Sequence, residues 1–375
     1  MRVALYSETF LPKTDGIVRV ACLTLEHFQR RGVEAVIVAP DGGVTEYAGA
    51  KVIGVPNTPT PFYPELRTSF PTPRIYQEVK AFRPDIMHMF HPVAAGLAGM
   101  FFANRMKVPS IASFHTDVAR ASEFYGMGVL RRPIEAATTW VFNMADYALA
   151  PSKRVQRELR ELGVKRVGLW RRGVDAETFN PRHRTEKMRN LLSDGHPEDT
   201  LLLYVGRLAA EKQIQQVRPV LEQVPGTRLA LIGDGPYRAE LEKHFAGLPV
   251  KFVGYLHGEP LHQAYASADL FAFTSAFESF GLVILEAMAS GTPVVSSRVG
   301  GAQDMIEEGV TGYTFDVNDT STLVERVREI VTTPGKLRQM GIDARIAAEK
   351  QSWPRMMDEL IECYEALLAG QPSPI

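Results

Sequence analysis

The sequence has 375 residues and a formal net charge of −1, with 45% hydrophobic and 23% charged residues. This composition is typical of a globular protein and excludes a disordered, collagen-like or disulfide-rich chain. The balanced charge argues against a nucleic-acid-binding protein, and no apolar stretch is long enough to predict a membrane-spanning helix. The two cysteines, Cys22 and Cys363, lack a metal-binding spacing, as expected of a protein in the reducing cytoplasm.

Charge is unevenly distributed along the chain. Residues 1–170 hold 21 basic and 15 acidic residues, whereas residues 171–375 hold 21 basic and 28 acidic residues. A basic first half suits an anionic partner such as a lipid surface or a phosphorylated substrate. Chance variation among solvated residues explains the same counts, so both interpretations stay open.

Short apolar runs alternate with helical patterns in the first half of the chain. Six of these runs are predicted as buried strands: 3–6, 34–39, 52–55, 85–90, 109–114 and 146–150. Between the first two runs, apolar residues recur with helical spacing over 16–31, and Gly32 ends that helix. Continuous apolar strands separated by helices predict an α/β fold with a parallel, doubly wound sheet.

The same alternation starts again after a charged stretch. Five further strands are predicted at 200–206, 228–233, 250–254, 269–275 and 293–297. The stretch 171–198 has no strong periodicity, so we interpret it as a hinge between an N-terminal domain, 1–170, and a C-terminal domain, 171–351. A last helix over 352–370 has one apolar stripe, which needs a partner surface in either domain.

Loops at the carboxyl ends of the strands are the first candidates for a ligand site, because doubly wound sheets bind ligands there. Gly16 begins a helix after the first strand and can let backbone amides approach an anion, although an ordinary turn explains it as well. Arg207 and Lys212 follow a later strand and can clamp a diphosphate, or form a solvated pair. The turn 233–236 has Arg238 where a dinucleotide-binding motif needs its third glycine, which disfavours a NAD enzyme.

The segment after the strand 269–275 carries the strongest signal. Glu278 lies in the loop, and a helix is predicted to start near Gly281, so its first amides suit phosphate oxygens. Glu286 lies in an otherwise apolar part of that helix and requires a partner, such as a sugar hydroxyl. The alternative is that Glu286 is an ordinary surface residue of the helix.

His115 follows the strand 109–114 and is a candidate catalytic contact, or a structural histidine. No other histidine or cysteine is arranged with it, and the chain has no Asp-x-Asp pair. A metal is therefore not required by the sequence, because Arg207, Lys212 and helix amides can neutralise a diphosphate.

Together these features resemble the retaining GT-B glycosyltransferases of family 4. The resemblance covers nearly the whole chain and is carried by Glu278 and Glu286, with seven residues between them, and by Gly206-Arg207 followed by Glu211-Lys212. It implies two facing Rossmann-like domains, with the C-terminal helix crossing back to the first and the nucleotide sugar bound mainly to the second.

The resemblance also implies roles for individual residues. The implied catalytic residues are His115, Glu278, Arg207 and Lys212. The implied donor-binding residues are Gly16, Arg207, Lys212, Asp234, Tyr255, Leu256, Glu278, Phe280, Gly281, Leu282, Val283 and Glu286. Among these, the two cations would hold the diphosphate, Glu286 the ribose and Glu278 the sugar. Gly16 would approach the diphosphate, His115 the reacting carbon, and Asp234, Tyr255 and Leu256 the base.

Longer phrases at 169–181, 188–198 and 232–247 are similar to the sulfoquinovosyltransferases of sulfolipid synthesis. The chain departs from them at Asp117, where they often have histidine, and at Ser279 and Phe280, where they often have threonine and leucine. The resemblance implies transfer of sulfoquinovose from its UDP derivative to diacylglycerol. The alternatives are a glucosyl- or mannosyltransferase that uses UDP-glucose or GDP-mannose on a lipid or soluble acceptor, and a non-catalytic sugar-binding protein.

A lipid acceptor would place the enzyme on the inner face of a membrane as a peripheral protein. Arg131 and Arg132, close in sequence to Tyr125, Leu130 and Trp140, are candidates for that surface. The alternative is a helix with a buried core face and solvated arginines.

Overall fold

The protein is described by a computed structural model that covers residues 1–13, 15–60, 63–90, 92–120, 128–276, 278 and 280–375, with only the backbone at 59, 60 and 63–68. Thr14, Tyr125 and Ser279 therefore lie outside the described residues. The contacts divide the chain into two compact units. Unit 1 comprises Met1–Arg171 and Pro354–Ile375, and unit 2 comprises Arg172–Trp353.

Unit 1 is built on an eight-stranded sheet with the strand order β10-β9-β8-β7-β1-β2-β4-β3. All neighbouring strands are parallel except β3 and β4, which pair antiparallel. A separate antiparallel pair is formed by β5 and β6. The strands of unit 1 are β1 Arg2–Ser7, β2 Glu34–Pro40, β3 Glu46–Tyr47, β4 Ala50–Val55, β5 Asn57–Thr60, β6 Tyr63–Ser69, β7 Ile86–Phe90, β8 Ser110–Ser113, β9 Tyr147–Ala150 and β10 Val167–Leu169.

Helices connect these parallel strands. They are α1 Gly16–Arg31, α2 Pro73–Phe82, α3 Ala95–Met106, α4 Arg131–Met144 and α5 Lys153–Glu161, with a 3-10 turn at Gly128–Leu130. The predicted bounds of α1 are confirmed, because Asp15 caps its first turn and Gly32, with φ 67°, ends it in the left-handed conformation.

Unit 2 has a six-stranded, wholly parallel sheet with the order β13-β12-β11-β14-β15-β16. Its strands are β11 Thr200–Val205, β12 Thr227–Ile232, β13 Val250–Gly254, β14 Leu270–Phe273, β15 Val294–Ser297 and β16 Gly312–Phe315. Its helices are α6 Glu186–Leu192, α7 Arg218–Gln223, α8 Arg238–His244, α9 Glu259–Ser267, α10 Leu282–Ala289, α11 Ala302–Met305, α12 Thr320–Thr332 and α13 Lys336–Glu349, with 3-10 turns at Pro181–His183, Ala210–Lys212 and Ile214–Val217.

Both faces of the unit 2 sheet are buried, which explains its unbroken apolar strands. In β11, Leu201 and Leu203 join the core on one face, whereas Leu202 and Tyr204 join the core on the other. Helices cover the two faces, as the sequence predicts for a doubly wound sheet. The α/β fold class is therefore confirmed.

The predicted hinge over 171–198 is wrong for most of its length. Phe179, Met188 and Leu192 are buried in the core of unit 2, and α6 lies within this stretch. Polar residues between these three apolar side chains hide the pattern, so the segment looks like a linker in the sequence although it packs as part of the fold.

The last helix, α14, spans Trp353–Leu368, and from Pro354 onward it belongs to unit 1. Its apolar stripe buries Met356, Met357, Leu360 and Tyr364. Among the described helices, none combines the length and apolar character that crossing a membrane requires.

Candidate functional site

The candidate site of unit 2 lies where its sheet changes direction. Strand β11 has β12 on one side and β14 on the other, so the chain winds outward from β11 both ways. The loops after β11 and β14 therefore leave the same edge of the sheet as neighbours, which is the place where doubly wound sheets bind ligands. The amide of Ala276 donates to the carbonyl of Glu211 at 2.9 Å, and the Thr274 hydroxyl donates to the carbonyl of Lys212 at 2.8 Å.

Two ion pairs lie at this edge. Arg207 Nη2 is 2.5 Å from Glu211 Oε1, and Lys212 Nζ is 3.1 Å from Glu278 Oε2. Glu211 is only 5% exposed, so this buried carboxylate holds the guanidinium in place. The structure thus places Arg207, Lys212 and Glu278 at the carboxyl ends of two neighbouring strands. The pairing of each cation with a carboxylate was not predicted.

A buried tyrosine supports these charges from inside the sheet. Tyr204 donates its hydroxyl to the carbonyl of Arg207 at 3.0 Å. Burial, followed by the negative charges of Glu211 and Glu278, raises the pKa of Tyr204 well above its usual value. The phenol therefore keeps its proton and fixes the backbone at the point where Arg207 leaves the strand.

The loops after β11 and β12 touch through their backbones, which requires glycine. A Cβ atom on Gly233 would lie 1.9 Å from the carbonyl oxygen of Gly206, and one on Gly235 would lie 2.3 Å from that of Leu208. Gly233 also has φ 131°, which side-chain-bearing residues rarely adopt. The glycines of the turn 233–236 therefore serve close packing of these two loops.

Two of the three residues predicted near the base lie together beside this turn. Tyr255 donates its hydroxyl to the carbonyl of Asp234 at 3.1 Å, and the Asp234 carboxylate accepts from Arg238 at 3.1 Å. Leu256 instead packs its side chain against the core of unit 2.

Helix α10 begins beside Glu278. Gly281 precedes its first residue with φ 92° and provides no side-chain cap, and a Cβ atom on Gly281 would lie 3.6 Å from Glu278 Cγ. The N-terminal end of a helix carries partial positive charge from its amides. The backbone of Leu282 and Val283 thus starts next to the pair formed by Lys212 and Glu278, whereas the Phe280 side chain is buried in the core.

Glu286 lies in the second turn of α10 and is 5% exposed. Its Oε2 accepts a hydrogen bond of 2.8 Å from the hydroxyl of Tyr265 on α9. The interpretation of Glu286 as an ordinary surface residue is therefore wrong, because this carboxylate is buried and has a specific donor. Tyr265 was not predicted as part of the site, because the sequence of α9 gives no sign of the carboxylate that this tyrosine contacts.

The remaining predicted site residues belong to unit 1. Gly16 is the first residue of α1, but the side chain of Asp15 accepts from the amides of Ile17 and Val18, both at 2.9 Å. Two of the amides that the prediction offers to an anion are therefore engaged by the chain itself. His115 follows β8, and its ring stacks on Phe90 with 5.0 Å between ring centres.

The described side chains include one cluster with metal-ligand chemistry, His196, Glu198 and Asp199, whose potential ligand atoms lie within 4.8 Å of one another. This cluster precedes β11 and is at the opposite end of that strand from Arg207.

Comparisons with known proteins agree with this geometry. Residues 14–178 match Glycosyltransferase Family 4, and residues 186–346 match Glycosyl transferases group 1. The chain is 38% identical over 337 residues to Sulfoquinovosyl transferase SQD2 of Arabidopsis thaliana, covering 88% of this chain and 66% of that protein. It is 36% identical to a GDP-mannose-dependent alpha-mannosyltransferase of Mycolicibacterium smegmatis over 98% of both chains.

Solved structures show the same fold at low sequence identity. Anabaena Alr3699/HepE in complex with UDP-glucose aligns with a TM-score of 0.77 at 20% identity, covering 98% of this chain and all of that one. Sucrose-phosphate synthase from Thermosynechococcus elongatus aligns with a TM-score of 0.78 at 20% identity, covering 99% of this chain. The protein is therefore a glycosyltransferase of the GT-B fold. It belongs to family 4, and its sequence is similar to sulfoquinovosyl and mannosyl transferases.

Proposed function

We propose that this glycosyltransferase is retaining and metal-independent, and that it moves sulfoquinovose from UDP-sulfoquinovose to diacylglycerol. The observation that carries the proposal is that Arg207, Lys212 and the N-terminal end of α10 all lie at the carboxyl ends of β11 and β14. These three groups are the positive charges that a departing diphosphate needs. Family membership favours this enzyme over a non-catalytic sugar-binding protein.

In the proposed reaction the bond between the anomeric carbon of the sugar and the diphosphate oxygen breaks, and the sugar develops positive charge. The hydroxyl oxygen of diacylglycerol bonds to that carbon on the face from which the diphosphate departs, and the hydroxyl proton passes to the departing diphosphate. Arg207 and Lys212 stabilise the negative charge that grows on the leaving diphosphate, so no ion is required for that purpose. Glu278, held by Lys212 at 3.1 Å, accepts hydrogen bonds from the sugar. Glu286 binds the ribose and His115 contacts the sugar near the reacting carbon. Gly16 contributes its backbone to the diphosphate, and Asp234, Tyr255 and Leu256 lie near the base.

We expect no covalent bond between the sugar and the enzyme, and one experiment tests this together with retention and metal independence. The anomeric configuration of the product is determined by NMR in a reaction that contains a chelator. A product with the donor's configuration and undiminished turnover in the chelator support the proposal. An inverted product, loss of turnover in the chelator, or a glycosyl adduct trapped on Glu278 would contradict it.

The choice of sulfoquinovose rests on the sulfoquinovosyl transferase of Arabidopsis thaliana and on the phrases shared with that group. A second candidate is a mannosyltransferase that uses GDP-mannose, because relatives with that name match this chain over 98% of its length at 32–36% identity. Nucleotide release from UDP-sulfoquinovose, UDP-glucose and GDP-mannose decides between them. Release of GDP alone would refute the sulfoquinovosyl assignment.

A lipid acceptor at the cytoplasmic face of a membrane is supported by the surface of unit 1. Val129 is 87% exposed and Trp140 is 54% exposed, and the exposed Arg132 lies between them in sequence. Apolar side chains beside arginine suit an anionic bilayer. A relative in Streptococcus pneumoniae, 26% identical, is named Alpha-monoglucosyldiacylglycerol synthase.

Vesicle sedimentation tests this surface. We expect binding to anionic vesicles that weakens with salt and with Trp140→Ser, but not with Phe101→Ser, which removes a similarly exposed aromatic side chain from α3. Vesicle binding that is independent of lipid charge and unchanged by both substitutions would refute the proposal that this surface of unit 1 binds a membrane.

A further inference from the structure

Behind His115, unit 1 contains a line of four hydrogen-bonding side chains. Ser113 Oγ is 2.8 Å from His115 Nε2 and 2.9 Å from His88 Nε2, and His88 Nδ1 is 2.5 Å from the hydroxyl of Tyr364. The line runs from the loop after β8 through β8 and β7 to α14. His88, Ser113 and Tyr364 are all 0% exposed, so the line lies in the interior of the unit.

The direction of these hydrogen bonds follows from Tyr364. Among the described residues, His88 Nδ1 is the one partner that the Tyr364 hydroxyl contacts. Burial raises the pKa of Tyr364 well above its usual value, so the phenol is protonated, and its proton has to be donated to that nitrogen. An imidazole nitrogen that accepts a hydrogen bond carries no proton, so the other ring nitrogen carries one and donates it.

The remaining protons are then determined in turn. Because His88 Nδ1 accepts from Tyr364, His88 Nε2 carries the proton and donates it to Ser113 Oγ. The Ser113 hydroxyl then donates its own proton to His115 Nε2, which is its other hydrogen-bond partner among the described groups. Neutral His115 therefore carries its proton on Nδ1.

We propose that Ser113, His88 and Tyr364 are positioning residues that hold His115 in the Nδ1-protonated form, so that His115 meets the sugar as a hydrogen-bond donor. This inference rests on the proposed contact of His115 with the sugar. Ring packing fixes the plane of the same imidazole, since His115 stacks on Phe90 and meets Trp170 edge-on at 6.4 Å.

The line of hydrogen bonds from Tyr364 through His88 and Ser113 to His115, called the relay below, gives the last helix a part in the chemistry. Tyr364 is 276 residues from His88 in sequence, and α14 also accepts, at the carbonyl of Met356, a 2.9 Å bond from the indole N–H of Trp170. These two contacts of α14, among others, thus lead to side chains beside His115: to Ser113 through His88, and to Trp170.

The protonated nitrogen is observed directly by ¹⁵N NMR of the full-length protein labelled at histidine. The His115 resonances are identified by their loss in His115→Asn. We expect a protonated Nδ1 and an unprotonated Nε2 in the wild type, and a mixture of the two tautomers in Tyr364→Phe. Tyr6→Phe is the matched control, because it removes another buried phenol hydroxyl of unit 1 that has no hydrogen-bond partner among the described groups.

Kinetics test whether the relay matters for transfer. Tyr364→Phe and Ser113→Ala are each expected to lower kcat by about 3- to 10-fold with little change in the donor KM, the size of one hydrogen bond. The double variant is expected to fall no further than Ser113→Ala alone, because Tyr364 acts through Ser113. Tyr6→Phe is expected to leave kcat unchanged, and thermal melting verifies that each variant is folded.

Failure of the relay is distinguishable from failure of the proposed function. A wild-type His115 protonated on Nε2, or additive losses in the double variant, would overturn the relay even if His115→Ala abolishes turnover. An Nδ1-protonated His115 together with full turnover of His115→Ala would overturn the role of His115 in transfer, and with it the purpose assigned to the relay.

Discussion

Replacing Lys212 by alanine separates the diphosphate site from the stability of the fold. The side chain of Lys212 lies with Arg207 at the carboxyl ends of β11 and β14, and it contacts Glu278 at 3.1 Å. Loss of a preorganised contact to a developing charge costs about 2–4 kcal/mol of activation free energy. Because 1.36 kcal/mol is a factor of ten in rate, we expect kcat to fall by about 30- to 900-fold.

The stability of Lys212→Ala should change far less. The pair with Glu278 is partly solvated, and such pairs contribute about 0–1 kcal/mol to the free energy of unfolding. For a unit of this size the melting temperature then falls by no more than about 4 °C. A large loss of turnover with a small loss of stability is therefore the signature of a diphosphate contact.

The assay measures released nucleotide at saturating donor, with thermal melting on the same samples. The matched control is Lys251→Ala in β13. Lys251 lies away from the site, and its Nζ atom is 2.6 Å from the carboxylate of Asp194. This control should retain the turnover of the wild type. Turnover of Lys212→Ala within about threefold of the wild type, or an equal loss in both variants, would refute the assignment of Lys212.

Three further substitutions test the packing of the loop at Gly233, the hydrogen bond from Tyr265 to Glu286, and the lowered pKa of Glu329. Gly233→Ala should abolish nucleotide binding in calorimetry, because its Cβ atom would lie 1.9 Å from a carbonyl oxygen. The control Gly247→Ala, whose Cβ atom would have no other atom within 4 Å, should retain nucleotide binding. Equal nucleotide affinities of the two variants would contradict the role of Gly233 in loop packing. Tyr265→Phe should lower the free energy of unfolding in urea by about 1–3 kcal/mol, since buried Glu286 loses a donor, and an unchanged midpoint would refute this. Hydrogen bonds, chiefly from a lysine, lower the pKa of Glu329 from 4.5 to about 2, so its contribution to stability is present above pH 4.5 and is lost as the pH falls toward 2. The difference in urea midpoint between the wild type and Glu329→Gln should shrink as the pH falls over that range. A constant difference would exclude a stabilising ion pair between Glu329 and that lysine.

Much of the fold could be predicted because its central strands are buried on both faces. Such strands appear as continuous apolar runs, so the strand at 200–206 and its neighbours were found. The edge strands β3, β10 and β16 were missed, because their two to four residues include a glycine or a charged residue and so form no continuous apolar run. The start of α10 near Gly281 was found from a glycine followed by an apolar helix.

The contacts between side chains were far less predictable. The sequence indicated that Arg207 and Lys212 follow one predicted strand and that Glu278 follows another. It did not indicate that these strands are neighbours or that Glu211 would bind Arg207. The partner of Glu286 is Tyr265, which lies on a different helix. Such pairs depend on how helices pack against the sheet, and spacing along the chain contains no record of that packing.

Binding of a diphosphate by Arg207, Lys212 and the start of α10, at the carboxyl ends of β11 and β14, underlies the proposed function. Calorimetric titration with UDP and UMP in the presence of a chelator tests it most directly, because the two ligands differ by one phosphate. We expect the wild type to bind UDP much more tightly than UMP, and Arg207→Gln to lose most of this preference. Equal affinities of the wild type for UDP and UMP, or an undiminished preference in Arg207→Gln, would contradict it.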